Sequence, residues 1–162
     1  MRRFLLIPVL IVAAYSTAIS QTSGADAKTK TSPLAGTWKA NLAKSERDPN
    51  HLFQSLTLIF KVSDDDVSLS YTGINMGGKE ESGIQRFHPD GKAYPIAEAP
   101  GVVVITKWLG SNTLETVTKK GEKLVAQATY EVSNDGKRLM ARIKGIDASG
   151  GSFEHGLVLD RQ

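Results

Sequence analysis

Residues 32–45 read SPLAGTWKANLAKS, and the reading of the tryptophan at their centre decides the fold. Ser32 can cap a short helical turn, and Pro33 suits the first helical position, where an amide would have no partner in any case. Gly36-Thr37-Trp38 then opens an extended segment. Asn41, Lys44 and Ser45 are types that make a turn or capping bond after a first strand. Trp38 is therefore either the entrance to a binding barrel or a buried tryptophan near the start of a soluble domain. The pattern that follows it bears on that choice.

Beyond Ser45 the chain becomes a series of alternating apolar runs. Leu56, Leu58, Phe60 and Val62 share one parity, as do Val67, Leu69 and Tyr71. Leu124, Ala126, Ala128, Tyr130 and Val132 form a longer set, followed by Leu139, Ala141 and Ile143, and then by Phe153, His155, Leu157 and Leu159. A period of two puts each set on one face of a strand. Residues 102–108, 114–119 and 84–87 are weaker strand candidates. The breaks between runs carry Asn75-Met76-Gly77-Gly78, Pro89-Asp90-Gly91, Gly110-Ser111-Asn112, Asn134-Asp135-Gly136 and Ser149-Gly150-Gly151, which is hairpin chemistry. No sustained 3.6-residue stripe predicts a packing helix. The expectation is an all-β protein: an antiparallel up-and-down meander closed into a barrel of eight to nine strands, with a short N-terminal helical turn. Closure removes exposed strand edges; a two-sheet sandwich is the alternative.

The N-terminus reads as a targeting segment. Arg2 and Arg3 precede an apolar run over residues 4–14, too short to span a bilayer, and Ala18-Ile19-Ser20 fits a small-x-small cleavage site before Gln21. The expected organisation is a signal peptide at 1–20, a flexible polar linker at 21–32 and one domain at 33–162, exported to the periplasm or secreted. Of the 20 basic side chains, Arg2 and Arg3 belong to that signal, so 18 face 17 acidic ones in the remainder. Such a near-neutral chain has no nucleic-acid footprint. The absence of cysteine excludes a disulfide, a thiol nucleophile, a cysteine-held metal and a lipid anchor on cysteine.

A short helical turn, Gly-x-Trp on a first strand and a β meander together resemble the lipocalin, or calycin, group. LAGTWKANLAKS, with the later HPDGKAYPI and SNDGKRL, is similar to small exported bacterial lipocalin-like proteins. The resemblance implies that Trp38, with Gly36 before it, sits at the closed end of a barrel beneath an arginine from near the last strand. Arg161 shares parity with Phe153, His155, Leu157 and Leu159 and fits that role; Arg142 has the opposite parity to its neighbours and fits less well.

The same parities predict a ligand-binding interior lined by Phe60, Tyr71, Trp108, Tyr130, Phe153, His155 and Leu157, with small Ala126, Ala128, Ala141 and Gly145 leaving room. His155 could donate to a ligand's polar end or bond a neighbouring tyrosine or carbonyl. The three histidines lack metal-ligand spacing, Asp64-Asp65-Asp66 lacks the glycine and glutamate of a calcium loop, and no nucleophile elbow, phosphate loop or dinucleotide fingerprint is present. The expectation is a non-enzymatic protein without cofactor or metal that carries a small, partly apolar molecule. The alternative on the same scaffold is an envelope interaction or inhibitor protein with a filled barrel and protein-binding loops.

Overall fold

The computed structural model describes residues 32–47, 52–147 and 149–162. The expected signal peptide and nearly all of the expected linker, like His51, lie outside the described residues. Ten strands alternate with tight turns: β1 (Gly36–Ala40), β2 (Phe53–Val62), β3 (Val67–Asn75), β4 (Glu80–Phe87), β5 (Asp90–Pro95), β6 (Val102–Trp108), β7 (Thr113–Lys120), β8 (Lys123–Val132), β9 (Arg138–Ile146) and β10 (Ser152–Arg161). They form one antiparallel sheet in the order β4-β3-β2-β1-β10-β9-β8-β7-β6-β5. The meander is interrupted once, where β1 pairs with both β2 and β10, so the first strand and the last lie side by side at the middle of the sheet.

Three sequence expectations need correction. The strands number ten rather than eight or nine. The segment DGKAYP, which shows no alternation and is not among the strand candidates, pairs with β6 as β5. The sheet curls into a half-barrel instead of closing, because β4 and β5, consecutive in the chain, are its two ends. Pro89 lacks an N–H at the corner between them, β5 is bulged between Asp90 and Ala93, and Pro95 removes another donor. Third, the N-terminal turn is no helix. Ala35 N–H donates to Ser32 O at 3.0 Å and the chain passes directly into β1, while the one helical element among the described residues is a 3-10 turn at Leu42–Lys44.

The core lies on the concave face. Leu58, Phe60, Val67, Leu69, Leu114, Val132, Leu139, Leu157 and Leu159 are buried there, on the parities that alternation assigns to them. Where β4 and β5 part, side chains tie the ends together. His88 Nδ1 lies 2.6 Å from Asp66 Oδ1 on the β2–β3 turn, and the His88 ring packs against Tyr94 of β5 with centroids 4.6 Å apart.

The Asp-Gly-Lys turns have a definite electrostatic consequence. At Asp90-Gly91-Lys92 the backbone N–H of Lys92 donates to Asp90 Oδ1 at 2.9 Å, and at Asp135-Gly136-Lys137 the N–H of Lys137 donates to Asp135 Oδ1 at 3.0 Å. Gly91 and Gly136 follow at φ 79° and 69°, where a side chain would be strained. The Lys92 amide, helped by the Tyr94 hydroxyl and the Lys92 ammonium, lowers the Asp90 carboxyl to about 2. Its folded value lies below the unfolded carboxylate value of about 3.9. The stability it contributes is thus complete above that value and is lost as pH falls toward 2. Asp90→Asn keeps an acceptor but cannot titrate. Its thermal midpoint is expected to fall less than the wild type's between pH 4 and pH 2; equal losses in scanning calorimetry would refute the assignment.

Candidate functional site

The floor of the concave face is built around Trp38. The side chain is fully buried, and its Nε1–H donates to Leu34 O at 2.9 Å. Arg161, opposite Trp38 in the β1–β10 register, lays its guanidinium over the indole with Cζ 4.0 Å from the ring centroid. The same group donates from Nη1 to Ala35 O at 2.9 Å, from Nε to Gly136 O at 2.6 Å, and from Nη2 to Pro33 O. One planar cation therefore ties the β1 approach and the β8–β9 turn to the last strand. Gly36 has φ 136°, and a Cβ there would lie 2.6 Å from Arg161 Nη1. The glycine of Gly-x-Trp is needed twice, for its backbone and for the arginine passing over it. Arg142 faces the opposite side of the sheet, where it lines an outer groove.

Above this floor the registers stack inward side chains into rows. Trp108, Leu114, Tyr130, Ala141 and Leu157 align across β6 to β10; above them lie Thr106, Thr116, Ala128, Ile143 and His155; above those lie Val104, Thr118, Ala126, Gly145 and Phe153. In the lowest row all but Trp108 are buried. Phe60 reaches across to Tyr130, edge to face at 5.1 Å, and helps fill that level. In the top row Val104, Thr118, Ala126 and Gly145 are only half-buried, as are Tyr71, Glu81 and Gln85 on β3 and β4. The concave face is thus sealed at the Trp38 end and reached by solvent at the other.

The seven side chains expected to line an interior all lie on this face but divide by height. Phe60, Trp108, Tyr130 and Leu157 belong to the packed lower part. Tyr71, Phe153 and His155 border the upper part. Two of these lie on glycines of a neighbouring strand. A Cβ at Gly83 would lie 2.6 Å from the Tyr71 ring, and one at Gly145 would lie 2.9 Å from that of Phe153. The glycines let the aromatics lie flat along the walls instead of standing into the space between them.

Sequence reasoning missed the polar members. Thr106 is 1 % exposed and its Oγ1 has no hydrogen-bond partner, a condition that costs about 1–3 kcal/mol for a buried polar group. Thr116 sits directly beside it on β7 and is buried too. Burial pushes the Tyr130 phenol up to about 12, so it stays neutral and can donate. Tyr71 is raised by burial and then by the charge of Glu81. His155 is buried, with its ring 5.7 Å from that of Phe153. Arg47, just before β2, lies over the Phe53 ring at 5.5 Å and donates to Phe53 O at 2.9 Å. The sequence signal for the threonines was their alternation at 116 and 118, which is silent about burial.

A separate groove of about 370 Å³ lies on the convex side, among Lys44, Glu131, Arg138, Met140, Arg142 and Val158. Among the described residues no cluster of acidic or histidine side chains could hold a metal ion, and no helix is long and apolar enough to cross a membrane.

A curled antiparallel meander with a tryptophan–arginine floor and a concave face open at the far end defines a lipocalin-like calycin fold. Solved structures agree with that class. A variant of the fluorescent protein UnaG superposes with a TM-score of 0.53 at 14% identity, over 80% of this chain and 96% of that one. Wild-type UnaG gives 0.51 at 16% identity, over 79% and 96%. Zebrafish ileal bile acid-binding protein, complexed with cholic acid, gives 0.51 at 14% identity, over 81% and 100%. No protein-family model and no curated protein matches the chain in sequence.

Proposed function

We infer that the chain is an exported, non-enzymatic protein that binds or carries a small, partly apolar molecule on the upper part of its concave face. The observation that carries this reading is the gradient of burial along one surface. The Trp38 end is closed by packed apolar side chains, whereas Tyr71, Val104, Thr118, Ala126 and Gly145 stay accessible although they face inward. Walls that are apolar with a few placed polar groups are the usual lining of a small-molecule site. The neighbouring bile acid-binding protein, which holds cholic acid, supports a ligand of this size and character.

Native mass spectrometry of the protein purified from its own source tests the reading. About one small molecule per chain is expected to copurify and to leave on denaturation. A chain that arrives ligand-free, or bound to a stoichiometric protein partner, would count against carriage. The second outcome would favour an interaction protein with protein-binding loops instead.

A further inference from the structure

We propose that the ligand is an uncharged amphiphile whose hydroxyl or carbonyl end is buried against Thr106 and Thr116, and not an anion. The inference rests on the carriage reading and adds the chemistry of the ligand's polar end.

Charge is distributed by depth. Below the rim, the polar side chains facing inward from β6 to β10 are Thr106, Thr116, Thr118, Tyr130 and His155. None is a lysine or arginine. On the β3–β4 wall the inward positions hold Tyr71, Glu81 and Gln85, so the one formal charge there is negative. Beside the threonine row the one cation is Lys92, across from Thr106 at the β5 bulge, and it is exposed at the sheet edge with its ammonium 3.2 Å from Asp90 Oδ2. The other cations near the interior among the described residues stand at its two ends. Arg161 is committed to Trp38 and three carbonyls, while Arg47 lies on Phe53 and Lys120 is exposed at the end of β7. A carboxylate carried down to the threonine row would find its one neighbouring cation, Lys92, already paired with Asp90, and burying an ion without a free counter-charge is strongly unfavourable. A hydroxyl or carbonyl meets no such penalty. It also meets the buried Thr106 hydroxyl that makes no hydrogen bond, with the Thr116 side chain beside it. Ala128, next in that row, and Ala126 above it leave that side of the path narrow in side-chain volume, and Val104 and Phe153 supply apolar walls for a chain or ring system.

The test uses the neutral fluorophore N-phenyl-1-naphthylamine as probe, displaced by 1-decanol or by decanoate at pH 8, on the protein and on its Thr106→Val, Thr106→Ser and Arg47→Gln variants. Decanol is expected to compete at least tenfold better than decanoate. Thr106→Val is expected to weaken decanol at least fivefold without lowering the thermal midpoint, Thr106→Ser to retain it, and Arg47→Gln to leave it unchanged. Because an alcohol partitions into any apolar site more readily than a carboxylate, the variant pattern is decisive. Unaltered decanol binding in Thr106→Val overturns the proposal. So does decanoate that competes as well as decanol and is weakened by Arg47→Gln, which would place an anion at the rim. Failure of the fluorophore to bind at all, and of decanol to bind in calorimetry, overturns the carriage reading itself and this inference with it.

Discussion

Trp38→Ala is expected to lower the free energy of unfolding by about 3–5 kcal/mol, the range for truncating a large buried aromatic. The indole is fully buried, and its removal opens the floor of the half-barrel beneath Arg161. Arg161→Ala is expected to cost less, about 1–2 kcal/mol. An exposed guanidinium over an indole contributes about 0.5–1 kcal/mol, and the carbonyls of Pro33, Ala35 and Gly136 lose a charged donor at the same time. Gly36→Ala should fall between, at roughly 1–3 kcal/mol, because the strained φ and the contact with Arg161 act together. Urea denaturation reads all three, and an unmoved midpoint in both Trp38→Ala and Arg161→Ala would dismiss the floor as a stabilising unit. None of the three should change which probe ligand is preferred, since the upper rows do not include them.

Ala126→Phe is expected to reduce binding of N-phenyl-1-naphthylamine at least tenfold while the protein stays folded. Ala126 lies in the top row between Thr118 and Gly145, half-buried and facing inward. A benzyl group there occupies the space that a ligand would take, and because the position is open it can do so without the repacking cost of a closed core. The control is Arg142→Ala on the convex side, which should bind the probe as the wild type does. If Ala126→Phe bound normally and Arg142→Ala did not, the small-molecule site would lie in the outer groove.

Much of this architecture was legible in the residues, and the failures are physical. Strict alternation marked β2, β3, β8, β9 and β10, because one of their faces is uniformly apolar and buried. It also assigned inward parity to the seven aromatic, histidine and leucine positions and to Arg161. β5 was illegible to alternation, since its glycine, lysine and proline carry none; only the resemblance of HPDGKAYPI to small lipocalin-like proteins pointed there, and pairing with β6 makes it a strand. β4 was foreshortened because its inward positions are Glu81, Gly83 and Gln85, which look like a polar face. Gly83 and Gly145 could not be connected with Tyr71 and Phe153 without the register, which is a property of neighbouring strands and not of either one alone. Height escaped for the same reason. Parity tells which side of the sheet a residue takes, and only the ladder shows that Phe60 and Tyr130 pack the floor while Phe153 and Tyr71 border the opening. Thr106 was hidden in a strand that is apolar on both parities at its start, where nothing distinguished a buried hydroxyl from an exposed one.

The pairing of β1 with β10 also bears on when the molecule can fold. The hydrogen bond from Arg161 to Ala35 joins positions 126 residues apart, and the tryptophan floor has no lid until the last strand arrives. Contacts so distant in the chain are slow to form, because the intervening segment must be ordered first. A ribosome-bound or partly emerged chain therefore has two antiparallel arrays, β1–β4 and β5–β9, with no strand between β1 and β9 to join them across the middle. Commitment to the native state waits for the C-terminus, which leaves the growing polypeptide threadable for nearly the whole of its synthesis.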